Sequence, residues 1–234
     1  MYYGRMENYI SLTVSDGSEM KAYVARPTGT PKAGILVFQE AFGVNAYIRS
    51  IADRFAAEGY LAIAPELFHR TGSGFEGDYN DFTSVAPHME GLTPEGQDAD
   101  AKAAYDWLKS EGMEKISAIG FCMGGRVSLI ANSRLQLSAA VSFYGAGIIP
   151  NYLDRVKDLA GPMLFFWGGK DTHIPRELWS QVPAALDAAG KSNIQVEMSD
   201  AGHGFFCDQR SAYHKPSADI AWPLVLSFLA EHQS

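Results

Sequence analysis

The chain has 234 residues, 47% of them apolar and 20% charged, which is enough to bury a large core without a metal or a disulfide framework and is too apolar for a disordered chain. A formal net charge of -8, with no clustered Lys and Arg, argues against nucleic acid as a partner. No run is long enough to cross a bilayer, the start MYYGRMENYISLTVSDG lacks the basic and apolar regions of a signal peptide, and the two cysteines allow one bridge at most. The expectation is a cytoplasmic protein of one domain, residues 1–234, monomeric or weakly dimeric, that acts on a small molecule and needs no membrane.

In chain order, MENYISLTV and MKAYVARP flank the turn signal Ser15-Asp16-Gly17-Ser18 and predict an N-terminal hairpin capping one sheet edge. GILVFQE is a continuous apolar run of buried-strand type. It is followed by a helix carrying Ile48, Ile51, Ala52, Phe55 and Ala56 on one face and ending at Gly59. LAIAPEL is the next strand. Residues 68–92, FHRTGSGFEGDYNDFTSVAPHMEGL, show no clear period, and the one helix they suggest runs from Asp78 to Val85. A loop of this length usually covers a site, and Tyr79, Phe82 and His88 are its candidates for lining a pocket. Thr93-Pro94 opens a helix through DAKAAYDWLKSE. KISAIGF, SAAVSFYG, PMLFFWGG and NIQVEMS are four more short strands, and SADIAWPLVLSFLAEH closes the chain. Alternating strands and helices predict an α/β class fold with a mostly parallel sheet covered on both faces.

Ligands of such sheets bind beyond the carboxyl ends of the strands, which is where KISAIGF delivers Cys122. In AIGFCMGG, Gly120 and Gly124 stand two residues to either side of the cysteine. That spacing suits a nucleophile elbow, a strained strand-to-helix turn that side chains would obstruct. A helix beginning at Met123 aims that residue's amide at an oxyanion beside Cys122, and its dipole favours thiolate over thiol. By itself the motif also fits a small buried cysteine in a glycine-rich turn.

The partners of an elbow nucleophile follow in the order acid, then histidine, each after a later strand. Asp171 follows PMLFFWGGK, where it also suits the cap of a helix, and His203 follows NIQVEMSDAG between two glycines. A second oxyanion donor is expected after an early strand, and the Ala41 amide in VFQEAFG is the candidate. Glu40, just before it, would place a carboxylate near the thiol. Tyr144, in SFYG, is a further candidate for substrate contact. No phosphate-loop, dinucleotide, dithiol or zinc motif is present, so neither cofactor nor metal is called for. A rival reading makes the chain a thiol redox protein in which Cys207 resolves an oxidised Cys122.

The segments QEAFGVN, IGFCMGGR, SFYGAG, GGKDTHIP and AGHGF, in this order, resemble the dienelactone hydrolase family of the α/β hydrolases, over about residues 34–203. The resemblance implies an α/β-hydrolase fold and cleavage of esters or lactones through an acyl-thioester. It also implies Cys122 as nucleophile, His203 as base, Asp171 as its partner and Glu40 as the carboxylate near the thiol. Dienelactone-cleaving members carry an arginine four residues after the histidine to hold the substrate carboxylate, and here that position is Cys207. Arg70 is the first cation to consider in its place, and Arg126 the second, with a structural role for Arg126 equally open. If neither serves, neutral esters should react at least as well as carboxylate-bearing dienelactones.

Overall fold

The hairpin forms as the turn signal dictates: β1 (Tyr9–Thr13) and β2 (Glu19–Ala25) are antiparallel, with Ile10 opposite Ala22. Gly17 takes φ +85° at the bend, and Asp16 Oδ1 accepts the Ser18 amide at 3.0 Å. These coordinates are a computed structural model that describes residues 8–233; Met6 and Glu7, which the sequence placed at the start of the hairpin, lie outside the described residues.

The chain forms two compact units that divide after Ile116. In the first, β2 pairs antiparallel with β4 (Tyr60–Pro65), and β4 pairs parallel with β3 (Ala33–Phe38), giving the order β1-β2-β4-β3. Every residue of β3 and β4 is buried, whereas β1 at the edge is mostly exposed or half-buried. Helix α1 (Ala46–Ala57) packs on β4 with Ile48, Ile51, Ala52 and Phe55 fully buried. Asn45 caps it by accepting the Ile48 amide at 3.2 Å, and Gly59 at φ +89° turns the chain away past its end.

Residues 68–92 contain two short helices, α2 (His69–Gly72) and α3 (Phe82–Glu90). The helix expected at Asp78 to Val85 therefore begins four residues later. Asp78 instead closes a local turn onto Asn80, at 2.8 Å, and Asp81 takes the cap, accepting the amides of Thr83 and Ser84. Helix α4 (Pro94–Ser110) starts as predicted, with Thr93 Oγ1 accepting the Gly96 amide at 3.0 Å and proline at the first helical position.

The second unit carries β5 (Ile116–Phe121), β6 (Ala140–Phe143), β7 (Met163–Gly168) and β8 (Asn193–Met198), parallel and in that order. Their aromatic side chains stack across strands: the Phe143 ring lies 5.1 Å from Phe121 and 4.4 Å from Phe166. Each such fully buried ring contributes about 2–3 kcal/mol. Helix α5 (Met123–Arg134) packs on β6, α7 (Gln181–Ala188) on β8, and α8 (Lys215–Gln233) on β7. No helix among the described residues is long and apolar enough to cross a membrane.

Candidate active site

β5 ends at Phe121 and α5 begins at Met123, so a single residue, Cys122, must turn the chain. It does so at φ 55° and ψ -117°, a left-handed conformation that an L residue holds only when its surroundings enforce it. Its amide donates to Phe143 O at 3.0 Å, and its carbonyl accepts from Gly125 N and Ala146 N, both at 3.0 Å. The turn is so tight that a Cβ at Gly120 would stand 1.9 Å from the carbonyl oxygen of Gly124. This is the steric reason for the first glycine of the motif. Met123 supplies the first amide of α5, a donor that the helix itself does not use.

Asp171 follows β7, and His203 follows β8. Parallel pairing brings Gly168 opposite Met198, so both loops leave the same end of the sheet. They run close together because Gly168 and Gly169 carry no side chain: a Cβ at either would fall 2.6–2.7 Å from a carbonyl oxygen of the other loop. Lys170 N then donates to Ala201 O at 2.9 Å. The outcome is a bond of 2.8 Å between His203 Nδ1 and Asp171 Oδ2. The second carboxylate oxygen, Oδ1, accepts the amides of His173 at 2.8 Å and Ile174 at 3.0 Å. Asp171 is thus both a loop cap and the partner of the histidine, and burial, which would raise its pKa, is outweighed by these bonds and the imidazole charge, which lower it.

The imidazole of His203 is largely buried, with the ring of Tyr144 at 5.1 Å and that of His173 at 5.2 Å. Tyr144 is fully buried and itself adopts φ 38°, a strained backbone one strand away from that of Cys122. Burial alone would lower the pKa of His203. The neighbouring Cys122, together with the bond to Asp171 and the Asp171 charge, outweighs it and pushes it up to about 10. Nε2 is buried and has no hydrogen-bond partner among the described residues.

The remaining candidates are distributed as follows. Glu40 and Ala41 lie just past β3 in the first unit, 1% and 2% exposed. Phe42, next to them, meets the ring of Tyr79 at 4.6 Å and that of Phe82 at 5.4 Å, and Tyr79 accepts a bond from Asn45 Nδ2 at 2.8 Å. His88 is held between Phe68 and Phe75, and its Nδ1 is 2.8 Å from Thr71 Oγ1, so it joins the two ends of its own loop. Arg70 is committed elsewhere: it forms a two-pronged ion pair with buried Asp100, at 2.8 and 2.9 Å, and a third bond to Asp16 at 2.7 Å. Asp100 also bonds His69 Nε2 at 3.1 Å. Cys122 and Cys207 are both free thiols, and Cys207 is fully buried.

Two cavities of about 480 and 380 Å³ open in the first unit, and neither is lined by Cys122, Asp171 or His203. The chemistry rather than the size of a hollow marks the site. In sequence His173 stands only near a strand end, and the glycine pair Gly168-Gly169 only lets the chain turn toward the sheet top. The pair was visible in PMLFFWGG, and its purpose, letting two loops touch, was not.

A sequence profile described as the dienelactone hydrolase family matches residues 20–233. A protein of Salmonella typhimurium named "Putative carboxymethylenebutenolidase" is 38% identical, over 98% of this chain and 89% of its own length. A protein of Escherichia coli K12 with the same name is also 38% identical, over 93% of this chain and 84% of its own. Among solved structures, the "Putative Dienelactone Hydrolase" of Klebsiella pneumoniae superposes with a TM-score of 0.85 at 33% identity, covering 95% of this chain and 98% of that one.

Proposed function

Because this chain belongs to the dienelactone hydrolase family and is a hydrolase of ester or lactone bonds with the α/β-hydrolase fold, we propose that it works through Cys122, His203 and Asp171 by way of an acyl-thioester. The observation that carries the proposal is the Asp171–His203 bond in the same unit as a strained Cys122.

The Sγ thiolate of Cys122 attacks the carbonyl carbon, and the electron pair of the C=O bond moves onto oxygen. The Met123 amide at the start of α5 stabilises that oxyanion. As the intermediate collapses, the bond to the alkoxide breaks and His203 Nε2 gives up its proton to the leaving oxygen. Cys122 is then a neutral thioester. Removal of its negative charge takes away one of the influences that hold the His203 pKa high, so the imidazole can now serve as a base. It takes a proton from water, which attacks the thioester; the C–S bond breaks, the acid leaves, and the thiolate–imidazolium pair returns.

Tyr144 backs the imidazole. The substrate is a small ester or lactone. The reducing cytoplasm suits a nucleophile that must stay a free thiol.

The test is Cys122→Ala with a small activated ester: turnover is lost while the circular dichroism spectrum and melting temperature stay close to wild type. Mass spectrometry of the wild type under slow turnover shows an acyl group on Cys122. Wild-type rates in Cys122→Ala would refute the proposal.

A further inference from the structure

The smaller cavity of the first unit, about 380 Å³, opens where β1 and β2 meet the chain leaving β3 and β4, and none of the triad residues lines it. Its walls are mainly apolar, formed by Ile10, Val44, Phe75 and the ring of Tyr9. The Phe75 side of the wall is firmly seated, since its carbonyl oxygen comes so close to Gly43 that a Cβ there would stand 1.9 Å from it. A hollow of this volume takes a small organic molecule, and walls of this kind hold an apolar body while a few polar groups fix its orientation.

Glu66, directly after β4, is the sheltered polar group on this cavity, at 7% exposed. Its Oε2 accepts the Gly74 amide at 2.9 Å and the Ser73 hydroxyl at 3.2 Å. Both donors are neutral. Among the described residues Glu66 makes no ion pair, whereas the buried Asp100 of the same unit meets Arg70 at 2.8 Å. The other charges on the cavity leave it unanswered: Glu76 is joined to Arg49 in two-pronged fashion, at 2.6 and 3.3 Å, and Lys21 is exposed, so water screens its charge more than that of the buried carboxylate. Burial raises the pKa of Tyr9, its contact with Arg49 opposes the rise, and the charges of Glu66 and Glu76 add to it, so both carboxylates bear on a phenol of the cavity wall. A sheltered carboxylate held only by neutral donors gains from an arriving cation that can donate to it.

We propose that this cavity is a second small-molecule site that binds an organic ammonium ion, its nitrogen on Glu66 and its apolar body against Ile10, Val44 and Phe75. The site stands apart from ester cleavage and does not depend on Cys122 being the nucleophile. Gly74, Phe75 and Glu76 belong to the stretch 73–81 that forms no regular structure, so an occupant adds contacts to that stretch and steadies it.

The experiment titrates the protein with 2-phenylethylammonium, 2-phenylethanol and 3-phenylpropionate, which share an apolar body and differ in charge, and follows backbone amide shifts by NMR. The amine should shift the amides of Ile10, Val44 and residues 74–76, and should bind roughly ten- to hundredfold more tightly than the alcohol or the carboxylate. Glu66→Gln keeps an oxygen for the Gly74 amide and removes the charge, and the preference for the amine should vanish with it. Equal affinity for the three compounds in wild type overturns the proposal, and that readout does not depend on any variant folding. So does a preference that survives Glu66→Gln, a set of shifts centred elsewhere, or no binding of the amine at millimolar concentrations. Cys122→Ala should bind the amine as wild type does; a loss there would move the ligand to the nucleophile and overturn the proposal as well.

Discussion

His203 Nδ1 sits 2.8 Å from Asp171 Oδ2, and the other oxygen of that carboxylate is held by the amides of His173 and Ile174. The carboxylate cannot rotate without breaking three bonds, so it fixes both the direction of the imidazole and the nitrogen that carries its proton. Asp171→Asn replaces an acceptor with a group that can donate, and the wrong tautomer of His203 follows. Turnover of an activated ester should fall by about three to four orders of magnitude, as in serine enzymes with this arrangement. A loss of less than tenfold would mean that Asp171 is a loop cap alone.

The histidine should carry its proton across the whole neutral range. Its pKa rises from an ordinary 6.5 to about 10, so in linkage terms the folded state binds a proton more tightly than the unfolded one. That contribution to stability is complete below about pH 6.5 and disappears as pH rises through about 10. In an NMR titration the His203 ring signals should stay flat from pH 5 to 8, where an unperturbed histidine titrates. In Cys122→Ala, which removes one source of the upward shift, the midpoint should move to lower pH. A wild-type midpoint near 6.5 would contradict the electrostatics described for this pair.

Glycines that look alike in sequence should respond differently to alanine. At Gly120 the added Cβ meets a backbone oxygen at 1.9 Å, whereas at Gly202 the nearest atom is 3.9 Å away. Gly120→Ala should destabilise the protein by about 3 kcal/mol or more and abolish activity. Gly202→Ala should remain within about 0.5 kcal/mol of wild type. Thermal unfolding of the two variants side by side gives the comparison, and similar melting temperatures would show that the elbow has room for a Cβ at Gly120.

Residues 68–92 should exchange amide hydrogens unevenly. The α2 end is tied to α4 by the Arg70–Asp100 pair, while residues 73–81 form no regular structure. Fast exchange is expected at 73–81 and slower exchange at 69–72. Asp100→Ala strips a fully buried partner from both Arg70 and His69, and should cost about 3 kcal/mol and loosen the α2 end. Protection of 73–81 equal to that of β3 would remove any reason to regard the segment as a mobile cover.

The sequence by itself determined the strands and the long helices, because buried parallel strands are near-continuous apolar runs and helices repeat at 3.6 residues, both of which are local properties. It also singled out Cys122, Asp171 and His203, since their flanking glycines and strand-end positions are written in order along the chain. The start of α3 was misread because Asp78 and Asp81 are both competent caps, and local sequence does not choose between a turn and a helix. Only the tertiary structure decided the fate of the cations. In sequence Arg70 is the first cation to consider and Arg126 the second, but ion pairing depends on residues brought from elsewhere. Asp100 and Asp16, 30 and 54 positions away, occupy Arg70, whereas Arg126 lies against Gly147 and the ring of Tyr152. A charge is spent or free according to what folding places beside it, and such distances in space are not encoded at any one position of the chain.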